Sequence, residues 1–200
     1  MICLRFSKEE NMDLYHVSFN IIKDVNIYYG RMNADFGQGF YLSPDLDFSK
    51  KWANISNEHD TIINIYNLDT TDLKVLDFKD RCDEWFNYIF KNRNGYNDIY
   101  KEYDVIIGPI ANDTIFNLYG IVTSGLIDKN VALKILKEGP VYTQVVIKTD
   151  KAKEKLKFIK YEILDKNIIE DSKEEIKRYE DEYQTKVFSM LGDDVKDMLS

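Results

Sequence analysis

Residues that cross-link, ligate metals or break chains are scarce in this sequence: among 200 residues there are two cysteines, two histidines and three prolines. Cys3 and Cys82 are too few for a disulfide framework, and Cys82, beside Trp85 and Phe86, reads as a buried free thiol. With only His16 and His59, and no close Cys/His cluster, no metal site is expected. Nine glycines and three prolines exclude collagen-like and low-complexity chains. No apolar run approaches the roughly 18–20 residues that span a bilayer. The first ten residues lack the basic and apolar segments of a signal peptide. Cations are outnumbered, 27 against 35 acids, giving a net charge of −8. That balance disfavours both sequence-independent nucleic-acid binding and a polybasic membrane anchor. The expectation is a reduced, cytoplasmic protein with no metal and no membrane attachment. Hydrophobic residues make up 44% of the chain, enough to bury a core at this length.

Along the chain, Asp13–Ser18 reads as a strand with Leu14 and His16 on one face and Tyr15 and Val17 on the other. A polar stretch then leads through Phe36-Gly37-Gln38-Gly39 into a short strand at Phe40–Ser43, the glycines permitting a tight approach. Pro44 and Asp45 open a helix expected to run to about Asn57, with Phe48, Trp52 and Ile55 at helical spacing. Strands are predicted at Thr61–Tyr66, Leu73–Phe78, Tyr103–Ile107 and Val141–Lys148. Helices are predicted at about Asp80–Arg93, after Asn112/Asp113, after Asp128, and at Lys151–Ile159, the last followed by a short strand near Tyr161–Leu164. From about Asp171, Ile176, Tyr179, Tyr183, Val187, Met190 and Leu191 form one helical stripe in a highly charged segment. That stripe fits a helix packed on its own domain, or one that docks a second copy or another protein. Strands and helices without strict βαβ alternation give an α+β fold. The division expected is a domain over residues 12–165 and an amphipathic helical extension over 166–200.

Two segments carry chemistry by their order: Tyr15-His16-Val17-Ser18, then Phe36-Gly37-Gln38-Gly39-Phe40-Tyr41-Leu42. Alone, a strand histidine is a satisfied core or surface residue, and a Gly-x-Gly is a turn or bulge. Together they resemble the ADP-ribosyltransferase superfamily, in its poly-ADP-ribose-polymerase-like branch. There a Tyr/Trp-His-Gly-Ser strand precedes a Phe-Gly-Lys-Gly-Ile-Tyr-Phe segment. The chain is also similar to a bacterial family of unknown function placed in that superfamily, through Asp35–Tyr41, Trp52-Ala53, Asn92-Arg93, Tyr103–Asp113 and the Gln144 strand. The resemblance covers roughly Leu14 to Ile159.

It implies a split β-sheet core with flanking helices and NAD as the substrate. His16 would bond the adenosine ribose, the Val17 peptide groups the carboxamide, and Tyr41 would stack on the nicotinamide beyond the Gly37–Gly39 turn. Ser49 and Trp52 follow Tyr41 by eight and eleven residues, offsets at which that branch carries a serine and an aromatic closing the pocket. Trp52 equally fits a core anchor in register with Phe48 and Ile55. Arg93 would meet the pyrophosphate, or simply sit as a charge at a helix C-terminus.

Two departures stand out. Val17 replaces the branch's glycine, and Gln144 occupies the place of the catalytic glutamate, keeping an acceptor but losing the charge. Asp113 is a candidate substitute carboxylate, or a helix N-cap. Tyr142 at the acceptor-facing position lacks the extra Glu or Gln of arginine-directed relatives. The implied function is a mono-ADP-ribosyltransferase, a bacterial toxin or defence effector acting on an unknown macromolecule. A neutralising antitoxin protein or a second copy would bind the C-terminal helix. The alternatives are a non-catalytic NAD or ADP-ribose-binding module and an NAD glycohydrolase.

Overall fold

A computed structural model describes residues 4–5, 11–111, 129–137 and 141–199. The chain divides into two compact units, Met1–Ile110 with Tyr142–Ser172, and Ala111–Val141 with Lys173–Ser200. Its fold class is α+β.

In the first unit β1 (Leu4–Arg5), β3 (Phe40–Leu42), β5 (Val75–Phe78), β6 (Val105–Pro109) and β7 (Thr143–Ile147) form a five-stranded sheet in the order β1-β5-β6-β7-β3. Only β5 and β6 run parallel; the other pairings are antiparallel. β2 (Asn11–Ser18), β4 (Ile62–Asp69) and β8 (Leu156–Ile163) form an antiparallel three-stranded sheet in the order β2-β4-β8. An isolated bridge between Tyr15 and Ser43 joins the two sheets, with Tyr15 N–H donating to Ser43 O at 2.8 Å and Ser43 N–H to Tyr15 O at 3.0 Å.

The principal core takes side chains from both sheets, Leu14, Tyr66 and Leu68 meeting Phe40, Leu42, Val105, Ile107, Val145 and Ile147. On the other face of the five-stranded sheet, Phe36, Phe78 and Tyr88 stack with ring centroids 5.8–5.9 Å apart. Tyr88 and the buried Trp85 come from α2 (Asp83–Arg93), and the Trp85 indole N–H donates to Pro109 O at 2.9 Å. A sheet covered on both faces takes apolar residues at consecutive rather than alternate positions, which is how Val105-Ile106-Ile107 and Val145-Val146-Ile147 read. A second cluster, Ala53, Ile63, Leu164 and Ile169, takes Tyr15 and Val17 on the opposite face of β2 from Leu14.

Three expectations are corrected. α1 (Leu46–Lys51) stops at a Trp52 C-cap, well short of Asn57. Ala53 N–H and Trp52 N–H close the last turn on Lys50 O and Ser49 O, and Thr61 Oγ1 donates to Asn54 O at 2.5 Å, fixing the chain beyond it. α4 (Asp150–Lys155), after a Thr149 N-cap, yields to β8 at Leu156, so the helix predicted to Ile159 is half strand. Leu156 and Phe158, two apart, pack on the principal core, and that period of two overrides helix propensity. Cys82 is disulfide-bonded, not a free thiol; the sequence has one other cysteine, Cys3, which lies outside the described residues.

The second unit contains α3 (Lys129–Lys137) and most of α5 (Lys166–Leu199). Within it Ile135, Tyr183 and Val187 are buried, and Tyr183 Oη donates to Ile135 O at 2.7 Å. Tyr179, assigned to the same stripe, is exposed.

Candidate functional site

β2, β3 and β7 carry His16, Tyr41 and Gln144, the residues singled out in the sequence, and are consecutive neighbours at the seam of the two sheets. The bridge joins β2 to β3, and Tyr41 of β3 pairs with Val146 of β7. Because both peptide groups of Tyr15 face Ser43, strand alternation turns those of Val17, two residues on, toward the same edge, beyond the isolated bridge. The Val17 side chain points away from His16 and packs with Ala53 and Ile63.

His16 lies 4.5 Å from the Phe40 ring, centroid to centroid. Its Nδ1 is 2.8 Å from Tyr41 O. A carbonyl only accepts, so Nδ1 carries the proton of that bond. Burial lowers the His16 pKa, against the opposing effect of this bond, and so favours the neutral ring. Nε2 is then an acceptor, and it makes no hydrogen bond among the described residues.

The turn before β3 is tightly held. Gly37 has φ +74°, a conformation that side chains resist. A Cβ on Gly39 would lie 2.6 Å from Val146 Cγ1 and 2.7 Å from Ile147 O, so the β3–β7 contact requires glycine. Tyr41 Oη donates to Gly37 O at 2.7 Å and accepts from Phe36 N–H at 2.9 Å. Burial first, and the nearby Asp35 charge second, raise the Tyr41 pKa far above the ordinary phenol value, so it stays neutral. Lys148 Nζ, nearly buried, donates to Phe36 O at 2.5 Å and pairs with Asp98 Oδ2 at 2.8 Å. Tyr88 Oη donates to Asp98 Oδ1 at 2.9 Å, and Gln38 Nε2 donates to Tyr28 O at 2.8 Å.

Asp35 is the functional candidate that sequence reasoning missed. Arg93 Nε and Nη2 donate to its Oδ1 at 2.8 and 2.5 Å, and Gln144 Nε2 donates to its Oδ2 at 3.2 Å. Asn92 Nδ2 holds its backbone carbonyl at 3.0 Å. The Asp35 and Arg93 side chains are 15% and 9% exposed, and Gln144 is 8% exposed. An acid in the apolar turn before Gly37 needs partners, but the local sequence does not say which.

The remaining predicted residues sit as follows. Arg93, expected at a pyrophosphate or as a helix-end charge, engages Asp35. Ser49 is buried, its hydroxyl donating to Asp45 O at 2.8 Å. Trp52 is 46% exposed and edge-on to Phe48 at 5.9 Å, which removes the core-anchor reading. Tyr142 stacks on Phe48 at 4.1 Å with Lys51 Nζ over its ring. Asp113 lies outside the described residues. Among the described residues no group of three or more His, Cys, Asp or Glu converges for a metal ion. None of their helices is long and apolar enough to cross a membrane.

An α+β chain with a polar seam between two sheets is the class these observations define. Residues 12–158 match the family model described as "Protein of unknown function (DUF3990)". The chain belongs to that family. Comparison with curated proteins finds no match.

Proposed function

We propose that the chain is an NAD-dependent mono-ADP-ribosyltransferase whose substrate NAD binds along the seam between β2, β3 and β7. The reading rests on one observation. The strands bearing His16, Tyr41 and Gln144 are consecutive neighbours at the seam of the two sheets. In this reading His16 Nε2 accepts from an adenosine-ribose hydroxyl, and the Val17 peptide groups bond the carboxamide, an amide that both donates and accepts. The Tyr41 ring lies against the nicotinamide, with exposed Trp52 toward its other face. Gln144 Oε1 accepts from the nicotinamide-ribose hydroxyl. The bond from ribose C1′ to nicotinamide breaks through an oxocarbenium-like state. Nicotinamide leaves with the bonding pair, and an acceptor nucleophile bonds C1′ while losing its proton. Gln144 supplies a dipole where a carboxylate would supply charge, so the reaction is a slow one.

A second reading, an NAD- or ADP-ribose-binding module without turnover, draws on the engagement of Asp35 by Arg93 and of Ser49 Oγ by Asp45 O.

Purified chain incubated with labelled NAD and cell lysate separates these. Transfer of label to a macromolecule, lost in Tyr41→Ala and reduced about 10²–10³-fold in Gln144→Ala, is the expected result. Free nicotinamide without transfer indicates hydrolysis instead. Calorimetric NAD binding without turnover leaves the binding module. Absence of both nicotinamide release and NAD binding overturns the NAD reading.

A further inference from the structure

Gln144 is a side chain whose two ends are chemically opposite and nearly equal in shape, so which end faces a ligand decides what the position can recognise. Its described environment is asymmetric. One end lies 3.2 Å from Asp35 Oδ2. The other has no hydrogen-bond partner among the described residues, and the residue as a whole is 8% exposed. An ionised carboxylate only accepts, so the atom facing Asp35 is the Nε2 donor and the outward atom is Oε1. Asp35 is itself fixed from two sides. Its Oδ1 receives Arg93 Nε and Nη2 at 2.8 and 2.5 Å, and Asn92 Nδ2 holds its main-chain oxygen at 3.0 Å. The carboxylate therefore cannot swing away from β7 without breaking an ion pair whose members are 9% and 15% exposed.

We propose that Asp35 is the positioning residue of the site: held by Arg93, it orients the Gln144 amide so that Oε1 is offered as an acceptor to a ligand hydroxyl. The same arrangement gives Arg93 an indirect role, anchoring the carboxylate that orients the amide. The catalytic consequence rests on the transferase reading above; the orientation of Gln144 does not.

The test exchanges donor and acceptor. In Asp35→Asn the new amide both donates and accepts, so Gln144 loses its fixed orientation. The expected effect is a fall of about 10²-fold in kcat for nicotinamide release with KM little changed. Gln144→Glu alone sets two carboxylates against each other and also loses activity. The double variant Asp35→Asn/Gln144→Glu restores one donor and one acceptor across the same gap, with an oxygen still facing outward. It is expected to exceed Gln144→Glu, which carries the same added carboxylate, by at least tenfold. A role for Asp35 only as the Arg93 partner gives no such rescue, because an asparagine at this position cannot restore that ion pair; absence of rescue overturns the proposal. Independently of NAD, the Gln144 side-chain amide protons in a nitrogen-15 correlation spectrum should be displaced and slow to exchange, and should lose both properties in Asp35→Asn. Unchanged signals overturn the orientation. If the wild-type chain neither binds nor cleaves NAD, the transferase reading falls while this spectrum still decides the role of Asp35.

Discussion

β6 and β8 are strands of one compact unit, yet they bury their side chains in opposite ways. Val105–Pro109 is buried at every position, between the principal core and the α2 layer. Leu156–Ile163 is an edge strand: Leu156 and Phe158 reach the core, whereas Ile159, Tyr161 and Ile163 are 43–59% exposed. The register slips opposite Ile65/Tyr66, where Phe158 and Lys160 face consecutive partners and Ile159 is the extra residue of a bulge. The difference shows where the fold is held and where it is free. The candidate site hangs from the rigid side, on β7 and the β3 turn, and uses the second sheet only through the β2 edge.

The sharpest way to break that contrast is truncation in both strands. Ile106→Ala should cost about 2–5 kcal/mol, while Ile159→Ala should stay within about 0.5 kcal/mol. Urea unfolding of the two variants checks this, and similar costs would remove the distinction. Tyr41→Phe addresses the turn between the sheets. It leaves the Phe36 N–H and the Gly37 carbonyl without the phenol, and about 1–3 kcal/mol should be lost. The same unfolding series measures it. The smallest effect expected is titration of His16 at the seam. Its folded pKa lies below the ordinary 6.5, so just below that pH the unfolded chain binds a proton that the folded chain refuses. The His16 contribution is fully present above pH 6.5, falls as pH drops toward the depressed folded value, and levels off below it. Comparing the pH dependence of stability in wild type and His16→Gln isolates this term, whose slope should vanish in the variant.

Much of this was legible because local pattern and tertiary demand agree. Leu14 and Tyr15 alternate, and they do enter different clusters. Asp45 does cap α1, accepting from Phe48 N–H at 3.0 Å. The glycines at 37 and 39 do meet backbone demands, one torsional and one steric. Failures arose where spacing imitates a period. Phe48, Trp52 and Ile55 sit at helical intervals, yet the chain leaves the helix at Trp52 and Ile55 packs on the second cluster from a loop. Lys151–Ile159 has helix-forming residues, but only burial of Leu156 and Phe158 could reveal the strand. Asp35 was hidden for a different reason. Its partners Asn92, Arg93 and Gln144 are 57, 58 and 109 residues away, and no local pattern encodes an ion pair closed over such distances.

Gly39 carries a consequence for how the segment Gly37-Gln38-Gly39 tolerates change. Position 39 is closed to every residue with a side chain while β3 keeps its register with β7, because Val146 and the Ile147 carbonyl already occupy the space. Position 38 carries an amide whose bonds go to the Tyr28 and Gly30 carbonyls at the surface, so other donors can stand there. Three adjacent letters thus hold very unequal amounts of information: the outer two specify backbone, and the middle one is close to a free choice.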